Sequence, residues 1–221
     1  MYKKITHNIV EEHYDHPLAM EIKSTMSQTR TDPIIRSTAG LVGLSTAEQF
    51  KTQATAMWTT LGWRLRNLIE SVWHDSGDVG AINDQLSKDI KNIRNGLTPY
   101  FSDGSLGNFE IGLQTLVTDL ANEIKAVKSG KDTRDLESKT VASIVNLAEY
   151  LESVNPKYWP KAAVVDIFTN LKNLYLDQVK FKLKREWSSD IDALNMSISA
   201  LTRFADIFSS GIIKEFPNKF I

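Results

Sequence analysis

The chain has 221 residues and a net charge of -1, from 26 basic and 27 acidic side chains, with 42% hydrophobic and 24% charged residues and no cysteine. That balance excludes a disordered chain, a collagen-like repeat and a membrane bundle. Without thiols there is no disulfide framework, cysteine nucleophile or iron–sulfur site. No global field attracts polyanions, so neither nucleic acid nor a membrane surface is expected as a partner.

A chain of this length buries roughly 70% of its unfolded surface, enough for a single domain over residues 1–221. Met1 to His7 carries basic residues with no apolar run behind them. No signal peptide is expected, and the cytoplasm is the default location.

Apolar residues recur at steps of three and four throughout, the mark of amphipathic helices. The first segment holds Ile5, Ile9, Leu18, Ile22 and Met26 and is divided by Pro17, which either kinks one helix or opens a second. Gln28 to Leu44 is irregular. Ser45-x-x-Glu48 reads as a capping box opening a helix to His74, with the stripe Phe50, Ala54, Met57, Leu61, Leu65, Leu68 and Val72 and a weak point at Gly62. Ala81 to Leu97 predicts the next helix, ended by Thr98-Pro99. The Gly-rich stretch Ser102 to Gly107 reads as a loop whose amides could meet an anion, with Asn108 capping a helix to Ser129-Gly130.

Asp132-Thr133 opens a helix with Leu136, Val141, Ile144, Ala148 and Leu151, stopped by Asn155-Pro156. Pro160 starts another, through Val164, Ile167, Leu171, Leu174 and Phe181, with polar Gln178 interrupting its stripe. It runs toward Lys184, and either a break or a continuous helix fits Arg185 to Trp187. The last helix starts near Ser188 or Ser189 and carries Ile191, Leu194, Ile198, Leu201, Ala205, Phe208 and Ile212. The sum is an all-α, single-domain, up-and-down helical bundle of about seven helices with short connections.

One cluster offers chemistry. Three of the four histidines, His7, His13 and His16, fall within ten residues that also hold Glu11, Glu12 and Asp15. On a helix Glu12 and His16 share a face, with His13 about 60° away. Glu12, His13 and His16 could ligate iron, manganese or zinc, the metals that suit carboxylate and imidazole. The helix from Ser45 ends in Glu70 and His74, again four apart, and could complete the site if its far end approaches the histidines. On the helical wheel Glu70 and His74 share a rim with Trp63, opposite Leu65, Leu68 and Val72. The paired Glu-x-x-His motifs of di-iron bundles do not occur.

His16-Pro17-Leu18-Ala19-Met20, followed by a long helix opening at Ser45-Thr46-Ala47-Glu48-Gln49-Phe50, resembles the start of haem-oxygenase-like helical proteins. The resemblance spans about a quarter of the chain and implies that fold as an alternative. The family's later Glu and His ligands have no counterpart in this sequence.

No P-loop, dinucleotide-binding glycine motif or nucleophile elbow occurs. Lys180 to Arg185 places four cations in six residues, a helix end or a phosphate contact. Of the five tryptophans, Trp58 joins the apolar stripe of its helix while Trp63 and Trp73 fall off it. Off-stripe aromatics mark a second packed face or a contact patch. Two functional classes follow. The first is a helical bundle acting through binding or homo-oligomerisation; the alternative is a metal-binding bundle or oxidase-like enzyme built on Glu12, His13, His16, Glu70 and His74.

Overall fold

The capping box at the head of the long helix forms in full. The Ser45 amide donates to Glu48 Oε2 at 2.8 Å, and the Glu48 amide donates back to Ser45 Oγ at 3.3 Å. The computed structural model describes residues 45–221, and residues 44–221 form one compact unit.

Among the described residues the regular secondary structure is entirely helical. Its helices are α1 (Thr46–Trp73), α2 (Val79–Gly96), α3 (Asp103–Lys128), α4 (Arg134–Val154), α5 (Lys161–Lys184) and α6 (Trp187–Glu215), with a short 3-10 turn at Pro217–Lys219. These six are the six expected after Ser45. The expected N-terminal segment lies outside the described residues. No described helix is long and apolar enough to cross a membrane.

The starts of α3 and α6 differ from the sequence expectation, α6 opening at Trp187 after Glu186 with Ser188 and Ser189 inside it. α3 starts at Ser102, whose hydroxyl accepts from the Ser105 amide, and Asn108 lies inside the helix. The stretch expected as a loop is helical because Leu106 and Phe109 are almost wholly buried. Their burial is worth about 2 kcal/mol each, more than two glycines cost in a helix. Between α5 and α6 the chain breaks at Arg185, which takes the left-handed conformation at φ 62°. The Arg185 amide donates to Lys182 O and the Glu186 amide to Phe181 O, the paired bonds of a Schellman turn.

The helices run alternately up and down. Lys51 meets Asp206 at 2.9 Å and Arg66 meets Asp190, so α1 and α6 are antiparallel. Arg64 bonded to Asp89 together with Gly96 set against Met57 makes α1 and α2 antiparallel, and Lys161 with Glu149 and Lys172 with Glu137 do the same for α4 and α5. Each helix packs on its neighbours in the chain, and α6 closes the ring onto α1. The parallel helices α1, α3 and α5 also touch one another. They form an inner triangle, with α2, α4 and α6 each seated against two of its members.

Aromatic rings fill one end of that core. Trp58 meets Phe204 edge-on at 4.8 Å, and Phe208 stacks on Trp159 at 4.6 Å and 5°. Trp159 lies in the α4–α5 connection and is seated against Gly211 of α6, where a Cβ would press on its indole nitrogen and on Tyr158 Cβ. Gly62 brings α1 close to α6 in the same way, opposite Leu201 and Ile198. Where the inner helices meet, a void of about 30 Å³ is lined by Trp58, Leu116, Leu120, Phe168, Leu171 and Tyr175. It has room for a water or two and none for a substrate. Burial pushes the Tyr175 hydroxyl up, partly countered by its hydrogen bond with Ser197.

Candidate functional site

Glu70 and His74 sit in the last turns of α1, where α5 ends and α6 begins. Glu70 is bound to cations. Its Oε1 lies 2.6 Å from Arg66 Nη2 and 2.9 Å from Lys182 Nζ, its Oε2 accepts from Lys182 Nζ at 3.1 Å, and His74 Nε2 stands 3.9 Å from Oε2. The His74 side chain is 70% exposed. Glu12, His13 and His16 lie outside the described residues, and among those described no group of three or more metal-ligating side chains gathers.

Beneath Glu70 lies a charge network that the sequence does not announce. Arg66 reaches from α1 to Asp190 at the start of α6 with both terminal nitrogens, Nη2 to Oδ2 at 2.8 Å. Its Nη1 also donates to Gln178 Oε1 at 3.0 Å, and Lys182 Nζ adds a bond to Asp190 Oδ2 at 3.1 Å. Asp190, Lys182 and Gln178 are buried, and the Arg66 side chain nearly so. Two cations and two carboxylates balance, so the network carries no net charge. Gln178 is held in one orientation, because a flipped amide would turn its NH2 toward the guanidinium. Its Nε2 meets no acceptor among the described residues.

Burial pushes the Asp190 carboxyl up, but hydrogen bonds and charge from Arg66 and Lys182 outweigh it and hold the group below the usual range. Burial likewise works against the Arg66 cation, and Asp190 and Glu70 more than restore it. The one sequence signal of this network was Gln178, which broke the apolar stripe of α5.

The surface above the network is the reverse of its interior. Trp63 is 50% exposed, Trp187 52% and Ile191 54%. The register set by Lys51 with Asp206 and Arg66 with Asp190 places Ile191 within a turn of Trp63, and Trp187 within a turn of Glu70. Around Arg66 and Asp190 the seam between α1 and α6 therefore has apolar side chains outside and charges inside, while at its other end the exposed Lys51–Asp206 pair lies outside. Trp63 is off the buried stripe as expected from the wheel, and Trp73 is half-buried. Ile191, expected in the core of α6, is replaced there by Asp190. Val141 of α4 is likewise expected inside and found exposed, with Thr140 and Ile144 taking the buried positions.

The corner breaks up the basic run at the end of α5. Lys182 turns inward to Glu70 and Asp190, Lys180 pairs with Asp177, and Arg185 forms the turn. At the glycine-rich start of α3 the Ser105 amide donates to Ser102 Oγ at 3.5 Å. A shallow depression of about 310 Å³ on the outer face of α3 lies beside Ile111, between Glu110 and Asp119.

No protein-family model, curated protein or solved structure matches this chain. The chemistry of the corner itself carries the functional argument. A half-exposed Trp or Ile forgoes roughly 1 kcal/mol of burial. Each buried ion costs several kcal/mol to desolvate, which mutual pairing only recovers. Neither choice maximises the stability of an isolated chain. The corner thus joins exposed aromatic side chains to a hydrogen-bonded base.

Proposed function

We propose that the chain is a non-catalytic helical binding module of the cytoplasm, whose contact face is the α1–α6 seam around Trp63, Trp187 and Ile191. The observation that carries this reading is the inversion at the seam, with Arg66, Lys182 and Asp190 inside and three large apolar side chains outside. The network fixes the relative position of α1, α5 and α6, so the apolar groups stand on a preorganised base and little ordering entropy is lost when a partner docks.

The test is site-specific photocrosslinking in the expressing cell. A photoreactive phenylalanine replaces Asn67, which is exposed on the same strip of α1, and in a second sample replaces Lys91 on the outer face of α2. A discrete adduct from position 67, mapped by mass spectrometry to one defined sequence and missing at position 91, is the expected result. No adduct at 67, or equal adducts at both positions, would contradict the assignment.

A further inference from the structure

We infer that the occupant of this face is a second copy of the same chain, docked about a two-fold axis; the inference rests on the reading of the seam as a contact face. A two-fold contact sets each residue near the axis against its own copy, so any charge there meets a like charge. The outward strip of α1 avoids this. From Thr52 to Trp63 the sequence contains no ionisable residue, in a chain that is 24% charged. Thr52, Ala56, Thr60, Trp63 and Asn67, spaced at helical steps, are all exposed.

The strip is also complementary to itself. An antiparallel crossing centred between Thr59 and Thr60 sets Trp63 over the partner's Ala56, a large side chain on a small one, twice by symmetry. It sets the Asn67 amide beside the partner's Thr52 hydroxyl and threonine beside threonine at the axis. On the α6 side of the seam, exposed Ile191, Asn195 and Thr202 extend the uncharged surface, and the nearest charges on that strip, Asp206 and Lys51 at its far end, are paired with each other. A net charge of -1 leaves two whole copies free of long-range repulsion.

Sedimentation velocity of the full chain, from micromolar to submillimolar concentration, tests this with three variants. Trp63→Ser removes the anchor, Ala56→Glu places a carboxylate under the partner's Trp63, and Ile111→Ser removes an exposed apolar group on α3 as a control. All three positions lie at the surface, and a circular dichroism melt confirms that each variant folds. The wild type and Ile111→Ser are expected to dimerise alike, and Trp63→Ser and Ala56→Glu to raise the dissociation constant at least about tenfold, as for a buried aromatic anchor. A wild type that stays monomeric throughout overturns the second copy as occupant, while the photocrosslink at position 67 still judges the face itself. A dimer whose affinity is the same in Trp63→Ser and Ala56→Glu overturns the seam as the interface between copies.

Discussion

Asp190 is 3% exposed and the next residue, Ile191, is 54% exposed, the reverse of what their polarities dictate. The inversion has a definite cause. Arg66 of α1 holds the Asp190 carboxylate with both terminal nitrogens and Lys182 of α5 holds it from the other side, so the start of α6 is rotated to bring the acid inward. Ile191 follows outward by one helical step.

Removing the acid should expose what the network is worth. Asp190→Asn leaves Arg66 and Lys182 buried with only Glu70 to balance them, and denaturant unfolding should show a loss of about 3 kcal/mol. Replacing Arg66 and Lys182 by Met and Asp190 by Leu together should recover most of that loss, since no buried charge is then unpaired. A loss below about 1 kcal/mol in the single variant would mean that the network does not hold the corner together.

The same group sets an acid limit. Its carboxyl titrates lower in the folded chain than in the unfolded one, because Arg66 and Lys182 outweigh the effect of burial. A depressed folded value stabilises above the unfolded pKa of about 4, and that stabilisation is lost as pH falls through the folded value. Unfolding midpoints measured against pH should drop below about pH 4, and should drop less in Asp190→Asn. Equal acid sensitivity in the two proteins would place the titrating group elsewhere.

Two glycines should respond differently to alanine. At Gly211 the new Cβ meets the Trp159 ring, which is stacked on Phe208 and cannot move aside, so Gly211→Ala should cost about 2 kcal/mol. At Gly62 the nearest obstacle is the tip of the Leu201 side chain, which can turn, and alanine returns about 1 kcal/mol of helix propensity. Thermal melts should rank Gly211→Ala well below Gly62→Ala. The opposite order would contradict the packing of the α4–α5 connection on α6.

Glu70 has a structural task that needs no metal. Glu70→Gln should cost about 1 kcal/mol through Lys182 and Arg66, whereas His74→Ala, at a largely exposed position, should stay within about 0.5 kcal/mol. Melting temperature should not change when iron(II), manganese(II) or zinc(II) is added. A metal-induced rise that disappears in both Glu70→Gln and His16→Ala would instead put that carboxylate on a metal.

Local chemistry was legible in the sequence and long-range pairing was not. The Ser45–Glu48 box and the stripe Leu61, Leu65, Leu68 and Val72 follow from residues within a turn or two of one another. The start of α3 was obscured by Gly104 and Gly107, whose weak helix propensity is overridden by burial of Leu106 and Phe109 against other helices. The corner was hidden for a similar reason. Asp190 finds Arg66 across 124 residues of sequence, and periodicity assigns a side chain to a face by its own polarity, not by a partner so far away. Off-stripe Trp63 was the part of the candidate face that spacing could reveal.

Fluorine NMR of the protein labelled with 5-fluorotryptophan tests the contact face most directly, because each of the five indoles reports its own exposure to water. In dilute protein, Trp63 and Trp187 should show a solvent isotope shift while buried Trp58 and Trp159 show none. As concentration rises into the submillimolar range, Trp63 and Trp187 should lose that shift together while Trp58 and Trp159 stay unchanged. A protein that associates while Trp63 and Trp187 keep their full solvent shift would contradict it.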